Sequence, residues 1–174
     1  MNALTTIHDE LFATLSAVDN RALETLRTAF ADRSRRWWVS GQGRSRLVGS
    51  MIAMRLMHVG FEVHMTGEVT APSIGVGDSL LMLSASGETP VSVHLARRAA
   101  EAGAQVLAVS THDDSSLAAL AYAVVVIPAH DSKQFGGSLF EQASLLLLDA
   151  MILAITRDDP DAYATMSQRH TNLE

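Results

Sequence analysis

The 174-residue chain contains no cysteine, which excludes disulfide bonds, thiolate chemistry and cysteine-ligated zinc. It has no basic run either. Its 13 Lys and Arg stand against 19 Asp and Glu for a net charge of −6, so no nucleic-acid partner is expected, although a small anion can still be held locally. The apolar run 143–155 is interrupted by Asp149 and too short to span a bilayer, so no membrane association is expected. The N-terminus, Met1 to Glu10, carries neither a basic segment nor a long apolar stretch, which argues against a signal peptide and points to a soluble, cytoplasmic protein. His8, His58, His64, His94, His112 and His130 show no metal-ligand spacing, so no metal is expected. Linkers, repeats and low-complexity segments are also missing. The hydrophobic content of 48% and the length suit one globular domain over residues 1–174.

What is present is an alternation of helix and strand patterns. Leu4, Ile7, Leu11, Phe12, Leu15 and Val18 recur at helical spacing over 2–18, and Asp19 is placed to cap a second helix over about 20–32. Strands are predicted at 37–40, 61–65, 79–84, 105–110 and 124–127. Helices are predicted at about 45–58, 90–102, 115–121, 139–156 and 160–169. Asp113 or Asp114 should cap the helix at 115–121, and Ser138 the long one. The pattern predicts an α/β doubly wound fold with a five-stranded parallel sheet flanked by helices. Two leading helices (1–34) precede the α/β core (35–156), and a C-terminal helix and tail (157–174) follow it.

Two strand-to-helix turns carry the chemistry. Leu80-Leu81-Met82-Leu83 runs into Ser84-Ala85-Ser86-Gly87-Glu88-Thr89, and Pro90 opens a helix. A helix start offers unpaired N–H groups and partial positive charge to an anion. Ser84, Ser86 and Thr89 add hydroxyl donors, and Gly87 allows close backbone approach. A plain Ser/Thr cap reads the same residues equally well. The other turn, Gly41-Gln42-Gly43-Arg44-Ser45, lacks the third glycine of a dinucleotide fingerprint, since Arg46 stands there. Arg44 and Ser45 at a helix start suit a sugar phosphate better, unless Arg44 simply pairs with a surface carboxylate. Both turns lie at carboxyl ends of strands, where ligands bind in such sheets, and they face one crevice if their strands flank the switch point.

The serine turn resembles the phosphosugar-binding loop of the sugar isomerase (SIS) domain, a flavodoxin-like family. Gly41 to Ser45, Met54-Arg55-Leu56-Met57-His58, Gly136-Gly137-Ser138-Leu139-Phe140-Glu141 and the tail Arg169-His170-Thr171-Asn172-Leu173-Glu174 resemble, more narrowly, the 6-phospho-3-hexuloisomerase family, over nearly the whole chain. That resemblance implies interconversion of 3-hexulose 6-phosphate and fructose 6-phosphate in formaldehyde fixation by the ribulose monophosphate pathway. It implies no cofactor and a homotetramer or homodimer. It implies that Ser45, Ser84, Ser86 and Thr89 hold the phosphate, with Gly43, Arg44 and Gly87 also at the substrate. The chain departs from the family at Arg46 (usually glycine), Gln42 (usually alanine) and Gln134-Phe135-Gly136-Gly137-Ser138.

Moving a carbonyl from C3 to C2 requires proton removal from C2, an enediol, and protonation at C3. One carboxylate beside both carbons can do both transfers. The resemblance places that base at Glu141, although a glutamate in a first helical turn also stabilises the macrodipole without any catalytic role. Glu88 would repel a phosphate if it pointed inward, so it is assigned to the helix start or a subunit contact. His170 is read as a proton shuttle between O2 and O3 or a ring opener, against an idle tail histidine. Met51, Met54 and Met57 are expected in a core or subunit interface. Two other functions are compatible with the pattern: a sugar-phosphate sensor, for which no DNA-binding domain fits in the length, and an isomerase of a pentose phosphate such as arabinose 5-phosphate.

Overall fold

A computed structural model of the chain describes residues 2–173; Met1 and the last residue of the tail motif, Glu174, lie outside the described residues. Two helices lead, α1 (Ala3–Ser16) and α2 (Asn20–Ala31), each started by a side-chain cap. Asn2 Oδ1 accepts from Leu4 N at 3.1 Å, and Asp19 Oδ1 from Arg21 N at 2.8 Å. There follow β1 (Trp37–Gly41), α3 (Arg44–His58), β2 (Val63–Met65), β3 (Ser79–Leu83), α4 (Pro90–Glu101), β4 (Gln105–Ser110), β5 (Ala123–Val126), α5 (Ser138–Thr156) and α6 (Ala162–Arg169).

The strands form one parallel sheet in the order β2-β1-β3-β4-β5. β1 and β3 are neighbours in register from Trp37–Ser79 to Gly41–Leu83. The chain leaves β1 towards β2 and returns to β3 on the other side, so the switch point lies between β1 and β3. At the opposite, amino end, Arg36 clamps Asp78 with two bonds of 2.9 and 2.8 Å and ties the starts of the same two strands.

Strand side chains alternate between two cores. Trp37, Val39, Leu81, Leu83 and Val109 pack under α2, α3 and α5, where Phe30 lies 4.6 Å from the Trp37 ring centroid. Trp38, Leu80, Met82, Val106 and Ala108 pack under Ala96 and Ala99 of α4 and under Leu117. α5 has 19 residues, and an 18-residue stretch of it has a mean hydropathy of 1.7, enough by length and composition to cross a membrane. It exceeds the apolar run 143–155 because Leu139 and Phe140 extend the buried face, and it packs on α1, α2 and α3.

Four local expectations are corrected. Residues 115–121 form no α-helix, only a 3₁₀ turn at Ala118–Leu120 whose cap position is Leu117, not Asp113 or Asp114, and Ser115 Oγ accepts from Ala118 N at 3.2 Å. The serine loop takes the amides of this segment before a helical ladder can form: Glu88 Oε1 accepts from Ser116 N and Gly87 O from Leu117 N. Ser138 does not cap α5, because its hydroxyl donates back to Phe135 O at 2.8 Å and Gly137 holds the cap position. Phe61 closes the end of α3, donating its N–H to Leu56 O, and so precedes β2 instead of joining it. Asp159 Oδ1 accepts from Asp161 N in a turn, which delays α6 to Ala162.

Candidate active site

The turns after β1 and β3 leave the sheet side by side. Gly41 is required where β1 ends, because a Cβ there would stand 2.8 Å from the Ser45 carbonyl carbon and 2.9 Å from Arg46 N. The first turn of α3 thus folds directly over the strand end. Gly43, at φ +54, occupies the cap of α3 with no side chain over the helix start. Arg44 and Ser45 then lie in the first turn of α3, at the crevice.

The serine loop is held from behind. Ala85 O accepts from Thr111 N, Thr111 Oγ1 and Ser110 Oγ at 2.9, 2.7 and 3.1 Å. Gly87 has φ +66 and sits so close to the next loop that a Cβ would fall 2.1 Å from Ser115 Oγ. The plain capping reading fails for Thr89: it is the residue before α4, but its hydroxyl makes no bond to the helix amides. It accepts instead from the buried Ser84 Oγ at 3.5 Å. Ser86 is exposed and its Oγ accepts from Glu88 N at 3.1 Å. Glu88 is bound to the loop after β4. Its Oε1 accepts from Ser116 N at 2.7 Å, and that bond holds its carboxyl below the usual range. It is a loop tie, so the expected contact with its own helix start is replaced by one with the neighbouring loop.

Glu141 lies in the first turn of α5 with only 12% of its side chain exposed, and Arg44 Nε donates to its Oε2. Arg44 therefore does pair with a carboxylate, but one largely covered at the crevice and not a free surface one. A Cβ on Gly137 would be 3.4 Å from Glu141 Oε1, so that glycine leaves the approach to the carboxylate open. Arg46 reaches the β2 side of the crevice and donates to Thr66 O at 2.9 Å, next to the Ser40–Thr66 hydroxyl pair at 2.6 Å.

His170 is not brought to Glu141 within the chain. It follows α6 and stacks on His58, ring centroids 5.3 Å apart and planes within 13°. His58 ends α3 and Arg44 begins it, which separates the two groups by about 20 Å at 1.5 Å per residue. The sequence marks His58 only as part of the Met54–His58 resemblance and as a histidine without metal spacing, and gives it no role of its own. His58 is buried, its Nδ1 has no partner, and burial, reinforced by the charges of His170 and Arg55, pushes its pKa down. Between the two ends of α3, Leu47, Met51 and Met54 form a stripe 65%, 51% and 56% exposed, so these methionines do not pack the core of one chain. Among the described residues, no three His, Cys, Asp or Glu side chains cluster as metal ligands would.

Comparison with known proteins bears on this geometry. The SIS domain profile matches residues 31–155. A Mycobacterium gastri protein named 3-hexulose-6-phosphate isomerase is 40% identical, over 99% of this chain and 90% of its own. One of the same name from Methylomonas aminofaciens is 35% identical over 84% of each. A Methanococcus jannaschii crystal structure, from which a function of 3-hexulose-6-phosphate isomerase was inferred, superposes with a TM-score of 0.88 at 25% identity over 100% of both chains.

Proposed function

Because the chain belongs to the SIS domain family, we propose that it is a sugar-phosphate isomerase that interconverts 3-hexulose 6-phosphate and fructose 6-phosphate through an enediol. The observation that carries this reading is a nearly buried carboxylate, Glu141, at the β1–β3 switch crevice beside a hydroxyl-lined loop that contains no cation. The loop suits a phosphate held by neutral donors, and the carboxylate suits proton transfer at carbon.

In this reading Ser45, Ser84, Ser86 and Thr89 bind the phosphate, and Gly43 and Gly87 let the backbone approach it. Glu141 removes the proton at C2 and returns it to C3, while the O2 proton passes to O3 by way of His170. Arg44 stands against the Glu141 carboxylate and orients it before substrate arrives. On binding, the guanidinium faces the oxygens of the developing enediolate.

The enzyme acts in the cytoplasm as a homo-oligomer, a tetramer before a dimer. The exposed Leu47-Met51-Met54 stripe and the separation of His170 from Glu141 support the same arrangement. If two copies pair their α3 helices antiparallel about a two-fold axis, the His58–His170 end of one lies over the Arg44–Glu141 end of the other. The active site then sits at the subunit boundary, with His170 supplied across it.

The test is a coupled assay. Hexulose phosphate is made in situ from ribulose 5-phosphate and formaldehyde, and formation of fructose 6-phosphate is followed. Phosphosugar binding without turnover would instead identify a sensor, and turnover of arabinose 5-phosphate a pentose-phosphate isomerase. Light scattering at micromolar concentration reads the assembly, and a monomeric mass counts against it.

A further inference from the structure

Glu10 lies on α1, far from the crevice in sequence, yet its carboxylate anchors the loop that delivers Glu141. Oε2 accepts from Ser132 Oγ at 2.7 Å and from Gln134 Nε2 at 3.1 Å, and Oε1 accepts from Lys133 N at 2.8 Å. Ser132 Oγ in turn accepts from Gln134 N at 3.0 Å. The loop has no ladder of its own to hold it. Asp131 is held at φ +55, a left-handed conformation disfavoured for a residue with a Cβ, and Gly136 at φ +59. Immediately beyond, Phe135 O accepts from Ser138 Oγ, and Gly137 O accepts from Glu141 N at 3.1 Å. The hydrogen bonds thus run from α1 through the loop into the first turn of α5. The donors around Glu10, the Lys133 amide foremost, hold its carboxyl below the usual range, so it is ionised at neutral pH.

We propose that Glu10 is a positioning residue for Glu141: α1 fixes the β5–α5 loop, and through it the place of the catalytic carboxylate. The inference rests on the reading of Glu141 as the base. A leading helix that merely covers α5 would not need a carboxylate aimed at three consecutive loop residues.

Glu10→Gln keeps the size of the side chain but turns an NH₂ towards donors on one side, and Glu10→Asp keeps the charge with a shorter reach. Glu10→Gln should lower kcat by about tenfold or more, since displacements near 1 Å in a reacting group can cost that much. KM for fructose 6-phosphate and affinity for inorganic phosphate should stay unchanged, because the serine loop is untouched. Glu10→Asp should recover part of the loss. In a Glu141→Gln background, Glu10→Gln should add no further loss. Unchanged kcat with a lowered Tm, or losses that multiply in the double variant, would overturn the proposal. Hydrogen exchange at the amides of residues 133–141 reads the loop without turnover. Faster exchange in Glu10→Gln together with near-normal turnover of Glu141→Gln would reject the base assignment while leaving the clamp. Unchanged exchange would reject the clamp itself.

Discussion

Replacing Gly87 with alanine should weaken phosphate binding by about ten- to a hundredfold. The new Cβ would stand 2.1 Å from Ser115 Oγ and 2.5 Å from Ser115 Cβ. Ser115 is buried and its hydroxyl accepts from Ala118 N, so swinging it aside would break that bond. Holding alanine at φ +66 costs about 1–2 kcal/mol, and forcing a methyl into a packed contact roughly 1–3 kcal/mol. The loop relieves this by lifting away from Ser115. That movement breaks the bond from Leu117 N to Gly87 O and carries Ser86 and Thr89 out of place. Loss of one charge-assisted bond to the phosphate is worth about 1.5–3 kcal/mol, which gives the stated range. Calorimetric titration with inorganic phosphate and with fructose 6-phosphate measures it, and thermal melts report the strain. Ser115→Gly removes both clashing atoms at the loss of one hydrogen bond, about 0.5–1.5 kcal/mol. The double variant should therefore recover the steric share and retain only the backbone share. Wild-type phosphate affinity in Gly87→Ala, or a double variant no better than the single, would refute the idea that contact with Ser115 shapes the loop.

Ser86→Ala and Thr89→Ala should each weaken fructose 6-phosphate and inorganic phosphate alike, and unchanged affinities in both would move the phosphate site elsewhere. Glu141→Gln should fold and bind phosphate but lose turnover by roughly 10²-fold to 10⁴-fold, and near-normal rates would mean another base. Mixing inactive Glu141→Gln with inactive His170→Ala should restore activity after subunit exchange, because one boundary in a mixed pair is intact; no recovery would reject a shared site. His58 has its folded-state pKa pushed below the ordinary value near 6.5, so its neutral form stabilises the fold fully above that pH and the contribution is lost as pH falls towards the lowered value. Tm should therefore drop more between pH 7.5 and 5.5 in the native protein than in His58→Leu, and equal drops would show that His58 is not responsible.

The parts legible in the sequence were those written locally. β4 was predicted with both ends right, because Gly103 stops α4 and a run of buried residues follows. The two strand-to-helix turns were legible from glycine and hydroxyl residues at fixed offsets, and so was the parallel class. Strand order was not, because no local pattern says that β1 pairs with β3 as well as β2. Ser138 looked like a cap, and only the position of Phe135 O shows why its hydroxyl turns back. His58 continues the exposed Met51–Met54 spacing, and nothing nearby in sequence indicates that the segment after α6 folds over it. The Glu10 clamp joins segments more than a hundred residues apart, and such contacts leave no periodicity to read.

The strand order also sets a timetable for folding. Every neighbouring pair in this sheet needs a crossover, so no strand can find its partner through a short hairpin. β1 waits longest for its central neighbour: Trp37 to Gly41 cannot be enclosed on both sides until Ser79 to Leu83 has been made. On the ribosome, a strand carrying two tryptophans therefore emerges well before its second partner, and the nascent chain must shelter it or risk sticking to another copy. The crevice between β1 and β3 is the seam closed by that late pairing, so the chain acquires its binding site only when the middle of the sheet is complete.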